Sequence, residues 1–321
     1  MSRLDEIYEK AQLAEIEGYT DPVQEKNALD LYRKAAEKGH FLSQWHLAEY
    51  LHLFGEGKRD ESECTKWYEA CALRHKYPRA FYHAGVRYCF GSGVRVSIRK
   101  GIEYLTYAAE KGIGEAIVWL GRHYTVYRRS KKLRKKGFDL LCRVDTERLT
   151  YLYDDNTPGE LYSLLGDCYK EGRGTRVNPE KAFECYKKSA NMGDLGGQVE
   201  LGRCYKDGFG VGQDGKKAVE LFRESSEYHG DAQYMLGMCY LDGIGVEKDE
   251  KEGVRWLQMA VDDGWGEPMY HLALCYIDGR GVKKDREKGL DLMRRAFDEG
   301  AILDAYLYLN KIFPDEYPLN E

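Results

Sequence analysis

The chain has no uninterrupted apolar stretch approaching the roughly 18 residues of a membrane-crossing helix. Its first ten residues, MSRLDEIYEK, lack the apolar core of a secretion signal, so a soluble, cytoplasmic protein without membrane association is expected. A formal charge of −5 over 321 residues carries no global footprint for nucleic acid or anionic lipid, although local patches stay open. No C-x-x-C occurs, and nine cysteines, an odd number, without an export signal argue against a disulfide framework. The eight histidines form no H-E-x-x-H, and the glycine-rich GFGVGQDG at 208–215 has no strand before it of the kind a phosphate loop requires. No metal and no cofactor are therefore expected.

What the chain has in excess is glycine and tyrosine, 35 and 26 residues against 7 prolines. Internal repetition accounts for much of this. LGDCYKEGRGT begins at Leu165, LGRCYKDGFGV at Leu201, LGMCYLDGIGV at Leu236 and LALCYIDGRGV at Leu272, at spacings of 36, 35 and 36 residues. Gly85 and Gly121 fall in the register of Gly166, and FGEG at 54–57 marks a weaker copy. A second segment follows each copy, as in EKAFECYKKSANMG from Glu180, KKAVELFRESSEYHG from Lys216, EGVRWLQMAVDDG from Glu252 and EKGLDLMRRAFDEG from Glu287. Both segments show helical periodicity, with Asn178-Pro179 forming an N-cap and first-turn pair and Asp249 with Glu252 a capping box. Each repeat therefore reads as a helical hairpin.

Mid-helix glycines at 166, 202 and 237 each cost about 1 kcal/mol relative to alanine, so close helix-to-helix approach is the expected return. Gly172, Gly208, Gly243 and Gly279 stand where a left-handed helix cap is needed. Tyr169, Tyr205, Tyr240 and Tyr276 lie on the face of the leading leucine. Cys168, Cys204, Cys239 and Cys275 occupy one structural slot, held by Arg87 and His123 upstream, and are expected as packed thiols.

The frame L-G-x-x-Y-x-x-G-x-G-V, followed by K-A or K-G and a closing glycine, closely resembles the Sel1-like repeat, a branch of the tetratricopeptide-like superfamily. The resemblance implies an all-α fold, a right-handed α-solenoid of about eight antiparallel helix pairs with a C-terminal capping helix. It would form a single domain over residues 1–313 with a polar, frayed tail at 314–321. The fourth unit is irregular. Seven basic residues stand among the nine from Arg128 to Lys136, and an insertion over about 128–157 stretches the glycine spacing to 45.

Positions that the fold fixes recur between copies, and positions free of it vary. One varying stripe on the first helices reads His83, Val86, Cys89; Trp119, Arg122, Thr125; Leu164, Asp167, Lys170; Glu200, Arg203, Lys206; Met235, Met238, Leu241; His271, Leu274, Ile277. The resemblance implies that first helices line the concave surface, so this stripe is the candidate binding site for a protein or peptide segment. Packing of its apolar members by the C-terminal helix, or an oligomer contact, is the competing reading. Non-catalytic adaptor function follows, in a monomer or weak homo-oligomer. A rival is an anionic ligand or, less favoured, nucleic acid, held by Arg128, Arg129, Lys131, Lys132, Arg134, Lys135 and Lys136 between Tyr127 and Tyr151, against which stands a merely solvated helix start. A remote alternative is serine-hydrolase or penicillin-binding chemistry, as in cysteine-rich secreted relatives, at Ser97-Ile-Arg-Lys100. The S-D-N and K-T-G companions of that S-x-x-K are absent.

Overall fold

The computed structural model describes residues 3–18, 22–144, 157–264, 266–300, 303–314 and 316–317; among them are seventeen α-helices and no strand. Where the repeats suggest one domain over 1–313, the helices group into two compact units, residues 1–152 and 153–321. Unit one holds the pairs α1 (Arg3–Gly18) with α2 (Pro22–Glu37), α3 (Phe41–Phe54) with α4 (Gly57–His75), α5 (Pro78–Phe90) with α6 (Ile98–Glu110), and α7 (Gly114–Val126) with α8 (Lys131–Leu141). Unit two holds α9 (Thr157–Glu171) with α10 (Pro179–Asn191), α11 (Leu195–Asp207) with α12 (Gly215–Ser225), α13 (Gly230–Asp242) with α14 (Glu250–Asp262), and α15 (Gly266–Asp278) with α16 (Arg286–Gly300). The last helix, α17 (Leu303–Ile312), packs on α16, as the expected capping helix does. Within each unit the second helix of one pair packs on the first helix of the next, the arrangement of an α-helical repeat solenoid. The insertion, with Tyr151, falls largely in residues 145–156, outside the described residues.

Close approach within a pair centres on the mid-helix glycine. A Cβ on Gly202 of α11 would stand 2.5 Å from the Phe222 ring of α12, and one on Gly85 of α5 would stand 2.8 Å from Leu105 Cγ of α6. Gly121, Gly166 and Gly237 face Leu141, Tyr186 and Leu257 in the same way, always the residue twenty positions on. These partners are buried in the cores of their units.

The turn repeats as faithfully. Gly208 caps α11 at φ +71°, and its N–H and that of Phe209 both donate to the Cys204 carbonyl. Six residues on, the Asp214 N–H donates to the Tyr205 carbonyl at 2.8 Å, while Asp214 Oδ1 accepts from the Lys217 N–H at 3.1 Å and so starts α12. Asn178, Asp249 and Asp285 do the same for α10, α14 and α16. Between cap and restart sits Gly210, also at φ +71°, pressed against the Pro179 carbonyl at the start of the preceding pair's second helix. Gly245 and Gly281 press on the main chain of Gly215 and Glu250 in the same manner, and Gly93 on that of Glu61. These four turns therefore seat, main chain on main chain, on the preceding pair's second helix.

The cysteine slot is buried at Cys168, Cys204, Cys239 and Cys275. Burial pushes the Cys204 thiol up to about 12 and those of Cys239 and Cys275 to about 11, so they stay protonated and act as small apolar groups. Upstream the slot is half-buried: Arg87 Nε donates to Thr65 Oγ1 at 2.6 Å, and His123 stacks on Trp119 at 5.3 Å. Within the tail Tyr317 packs on Phe297 and Tyr306 and its carbonyl accepts from Asn310 Nδ2, while residues 318–321 lie outside the described residues.

Gly210→Ala would place a side chain in the left-handed region, at about 1–2 kcal/mol, and into a filled seat, at about 1–3 kcal/mol more. A urea titration of the full chain should show unit two losing about 2–5 kcal/mol. Gly212→Ala, with nothing within 4 Å and no positive φ, should change stability by less than about 0.5 kcal/mol. Equal effects of the two substitutions would refute the seat.

Candidate binding surface

In unit two the first helices α9, α11, α13 and α15 bring part of the varying stripe into one polar ladder. Lys170 Nζ lies 2.6 Å from Glu200 Oε2, joining α9 to α11. Arg203 Nη2 lies 2.7 Å from Asp231 Oδ1, joining α11 to α13, and its Nε is 3.4 Å from Glu200 Oε1. At the next step the Tyr234 hydroxyl of α13 donates to Glu267 Oε1 of α15 at 3.4 Å. At the other end Asp167 accepts from the Tyr186 hydroxyl at 2.8 Å. Burial raises the Asp167 carboxyl, helped by the nearby Glu200 charge and opposed by the Tyr186 hydrogen bond. For Arg203 burial works against the charge, but Asp231 and Glu200 overcome it and hold the guanidinium charged. Asp167, Lys170, Glu200, Arg203 and Asp231 are half-buried rather than free in solvent, so their order is set by one another, while Glu267 at the far end is exposed.

Other members of the stripe are placed differently. Met238 and Leu274, in the register of Arg203, are half-buried beside the core. Lys206 pairs with Asp207 on its own helix at 2.6 Å. His271 lies against Tyr234 at 5.4 Å, its pKa lowered chiefly by burial. Met235, Leu241 and Ile277 are only 5%, 1% and 8% exposed and Leu164 is also buried, so these four pack the core and offer no surface. Varying between copies is thus no guarantee of exposure. Conversely Asp231 and Glu267, which complete the ladder, escaped the sequence reading. They stand one turn before Met235 and His271, as Arg79 and Glu115 stand one turn before His83 and Trp119, and extending the stripe by that turn finds them.

In unit one Arg79 Nη2 of α5 meets Glu115 Oε1 of α7 at 2.9 Å. His83 is 9% exposed and stacks on Tyr68 at 4.7 Å with the rings 10° apart, beside Trp45 and His52. Cys89 and Thr125 are buried, the Thr125 hydroxyl donating to the Gly121 carbonyl. Val86, Trp119 and Arg122 are half-buried.

The basic run begins in the loop before α8 and forms its first two turns. Arg128, Arg129, Lys131, Lys132, Lys135 and Lys136 are exposed and Arg134 is half-buried. Arg134 Nε donates to the Arg128 carbonyl, Lys135 pairs with Asp139, and Lys136 lies over the Tyr124 ring. Ser97, in the S-x-x-K, is the N-cap of α6, its Oγ accepting from the Lys100 N–H. Lys100 Nζ is 2.6 Å from Glu69 and donates to the Tyr88 hydroxyl. Burial weakens its charge, but these bonds more than compensate and hold its pKa above the usual lysine range, opposite to what a general base needs. Among the described residues no helix is long and apolar enough to cross a membrane, and no group of three or more His, Cys, Asp or Glu could hold a metal ion.

Comparison with known families decides the relationship. The Sel1 repeat pattern matches residues 11–40, 42–73, 78–113, 160–194, 196–227, 230–265 and 269–300. The chain belongs to the Sel1 repeat family. The unmatched stretch between Ile113 and Glu160 contains the irregular fourth pair. A Sel1 repeat protein from Oxalobacter formigenes superposes with a TM-score of 0.67 at 21% identity, over 97% of this chain and 88% of that one. A protective antigen of uropathogenic Escherichia coli with an SLR fold also gives 0.67, at 25% identity over 98% of this chain and 68% of that one. No curated protein matches the chain. Sel1 repeat proteins generally mediate protein–protein interaction.

Within this Sel1 repeat fold His83 makes stability sensitive to pH. Burial, with the charges of His52, Arg79 and Arg87, lowers its pKa to about 3. The unfolded chain therefore takes up a proton below about pH 6.5 that the folded chain refuses, and stability falls as pH drops from there. Between about pH 6.5 and 5, urea unfolding of unit one should lose up to about 1.4 kcal/mol per pH unit through this group. His83→Phe, which keeps the stack, should flatten that dependence; parallel slopes for the two proteins would contradict it.

Proposed function

We propose that this chain is a non-catalytic, cytoplasmic scaffold that holds an extended or helical segment of a partner protein along the first-helix face of unit two. The observation that carries the reading is the ladder Lys170, Glu200, Arg203, Asp231, which spans three first helices with the half-buried Met238 and Leu274 continuing its register. Packing fixes the recurring glycines, tyrosines and cysteines of those helices. Lys170 and Arg203 are not required by packing in that sense, since their register positions are apolar in α13 and α15, at Leu241 and Ile277 and at Met238 and Leu274.

Such a surface suits a segment whose polar groups exchange with the ladder and whose apolar side chain reaches Met238 and Leu274. Methionine adapts its shape at little cost, which favours a face that accommodates a moderately varied segment. Charged pairs already ordered by their neighbours lose less conformational entropy when a partner docks than free surface lysines would. The family's general role in protein interaction supports a protein as the partner.

The test places a photo-crosslinking residue in turn at Arg203, Met238 and Leu274 on first helices, and at Glu184, Arg255 and Asp291 on second helices. Crosslinked partners should form at the first three positions and be absent at the others. Met235 is unsuitable because its burial would couple any change there to folding. Crosslinking of equal yield from both sets, in proteins with unchanged helicity, would defeat the reading.

A further inference from the structure

The net charge of −5 hides a strong segregation. Residues 74–144, which run from the end of α4 through α8, hold 17 Lys and Arg against 4 Asp and Glu, a formal +13, so the rest of the chain carries −18. Only part of this positive charge is neutralised within the fold. Arg79, Lys100 and Lys135 have carboxylate partners, whereas Arg95, Arg129, Lys131 and Lys132 are exposed and have no carboxylate within 4 Å among the described residues. Lys131 and Lys132 also open α8, where the helix dipole favours negative charge, with no acidic residue in the first turn and no side-chain hydrogen bond from Ser130. The arrangement is locally unfavourable in the isolated protein.

Beside these cations runs an apolar rim. Phe54, Phe90 and Val126 close α3, α5 and α7 at one register position, and Phe90 is 70% exposed. Tyr127, 69% exposed, follows Val126 and directly precedes Arg128 and Arg129. Val96 is exposed next to Phe90, its side chain filling the space a Cβ on Gly91 would need. In unit two the same register position is acidic throughout: Glu171, Asp207, Asp242 and Asp278. Large apolar side chains at these helix ends are therefore not required by the repeat.

We infer that this edge of unit one is a docking surface for an acidic segment of a partner protein that also carries large apolar side chains. Carboxylates of the segment pair with Arg95, Arg129, Lys131 and Lys132, and its apolar side chains cover Phe90, Val126 and Tyr127. Charge complementarity selects the occupant. A nucleic acid would supply the negative charge, but a long polyanion approaching this patch would meet a chain that is otherwise −18, and a row of phenylalanine and valine answers apolar side chains better than phosphates. The surface is separate from the first-helix face of unit two, so either assignment can fail without the other.

Selection of a random short-peptide display library against the full chain tests it. Recovered peptides should be enriched in Asp or Glu together with Phe, Leu or Trp, and should lose about tenfold in affinity or more between about 50 and about 200 mM salt. The triple variant Arg129→Glu, Lys131→Glu, Lys132→Glu should abolish their binding, Lys131→Gln with Lys132→Gln should weaken it, and Phe90→Ser with Tyr127→Ser should weaken it about fivefold or more. Helicity should be unchanged in every variant. Peptides without acidic enrichment, or peptides that bind the triple variant as well as the parent, would overturn the proposal. So would a short oligouridine that binds through the same three cations more tightly than any recovered peptide.

Discussion

Main chain resting on main chain sets the geometry of each unit. In the α11–α12, α13–α14 and α15–α16 hairpins of unit two, the second glycine of the G-x-G turn lies in the left-handed region against the first turn of the preceding pair's second helix, where a Cβ would collide with backbone. Backbone cannot move aside as a flexible side chain can, so the seat constrains the offset between neighbouring pairs. The mid-helix glycine does the equivalent within a pair, letting a ring or a leucine twenty residues on lie directly on the first helix. Where both glycines are present, as in the α11–α12 and α13–α14 pairs, they set both spacings of the stack, and tyrosine, cysteine and the capping aspartate fill in around them.

A fixed offset makes the remaining positions meaningful. Because the first helices of unit two stand at constant separation, Lys170 reaches Glu200 and Arg203 reaches Asp231 across successive helices. Half-buried pairs of this kind add little net stability, since desolvation offsets most of their attraction. What they do provide is an ordered array of charges on a surface whose outline the glycines have already set. At the ends of the first helices in unit one the same scaffold carries exposed phenylalanine and valine in a segment rich in arginine and lysine, so one repeat architecture presents two chemically different faces.

The helices, their number, the turns, the caps and the capping helix were legible because each depends on short-range rules: period, N-cap residue and left-handed glycine. The thiol slot was legible for the same reason. Exposure was harder. Comparing copies separates residues that recur from residues that vary, yet Met235, Leu241, Ile277 and His83 vary and are buried, so variation between copies does not by itself mark surface. The ladder partners Asp231 and Glu267 lay one turn outside the stripe considered. Summing charge over the whole chain concealed the basic segment 74–144, which a running count along the sequence exposes. The division of the helices into two units, at 152/153, falls in the insertion that stretches the glycine spacing to 45, a break in the period that by itself reads as an irregular fourth unit within one domain.

The central claim is that binding is read from first helices held in place by the repeat seats. Backbone amide hydrogen exchange, followed with and without a partner identified by crosslinking, tests it most directly. The account predicts added protection in α9, α11, α13 and α15 with little change in α10, α12, α14 and α16. Protection confined to the second helices, or spread evenly over both, would contradict it.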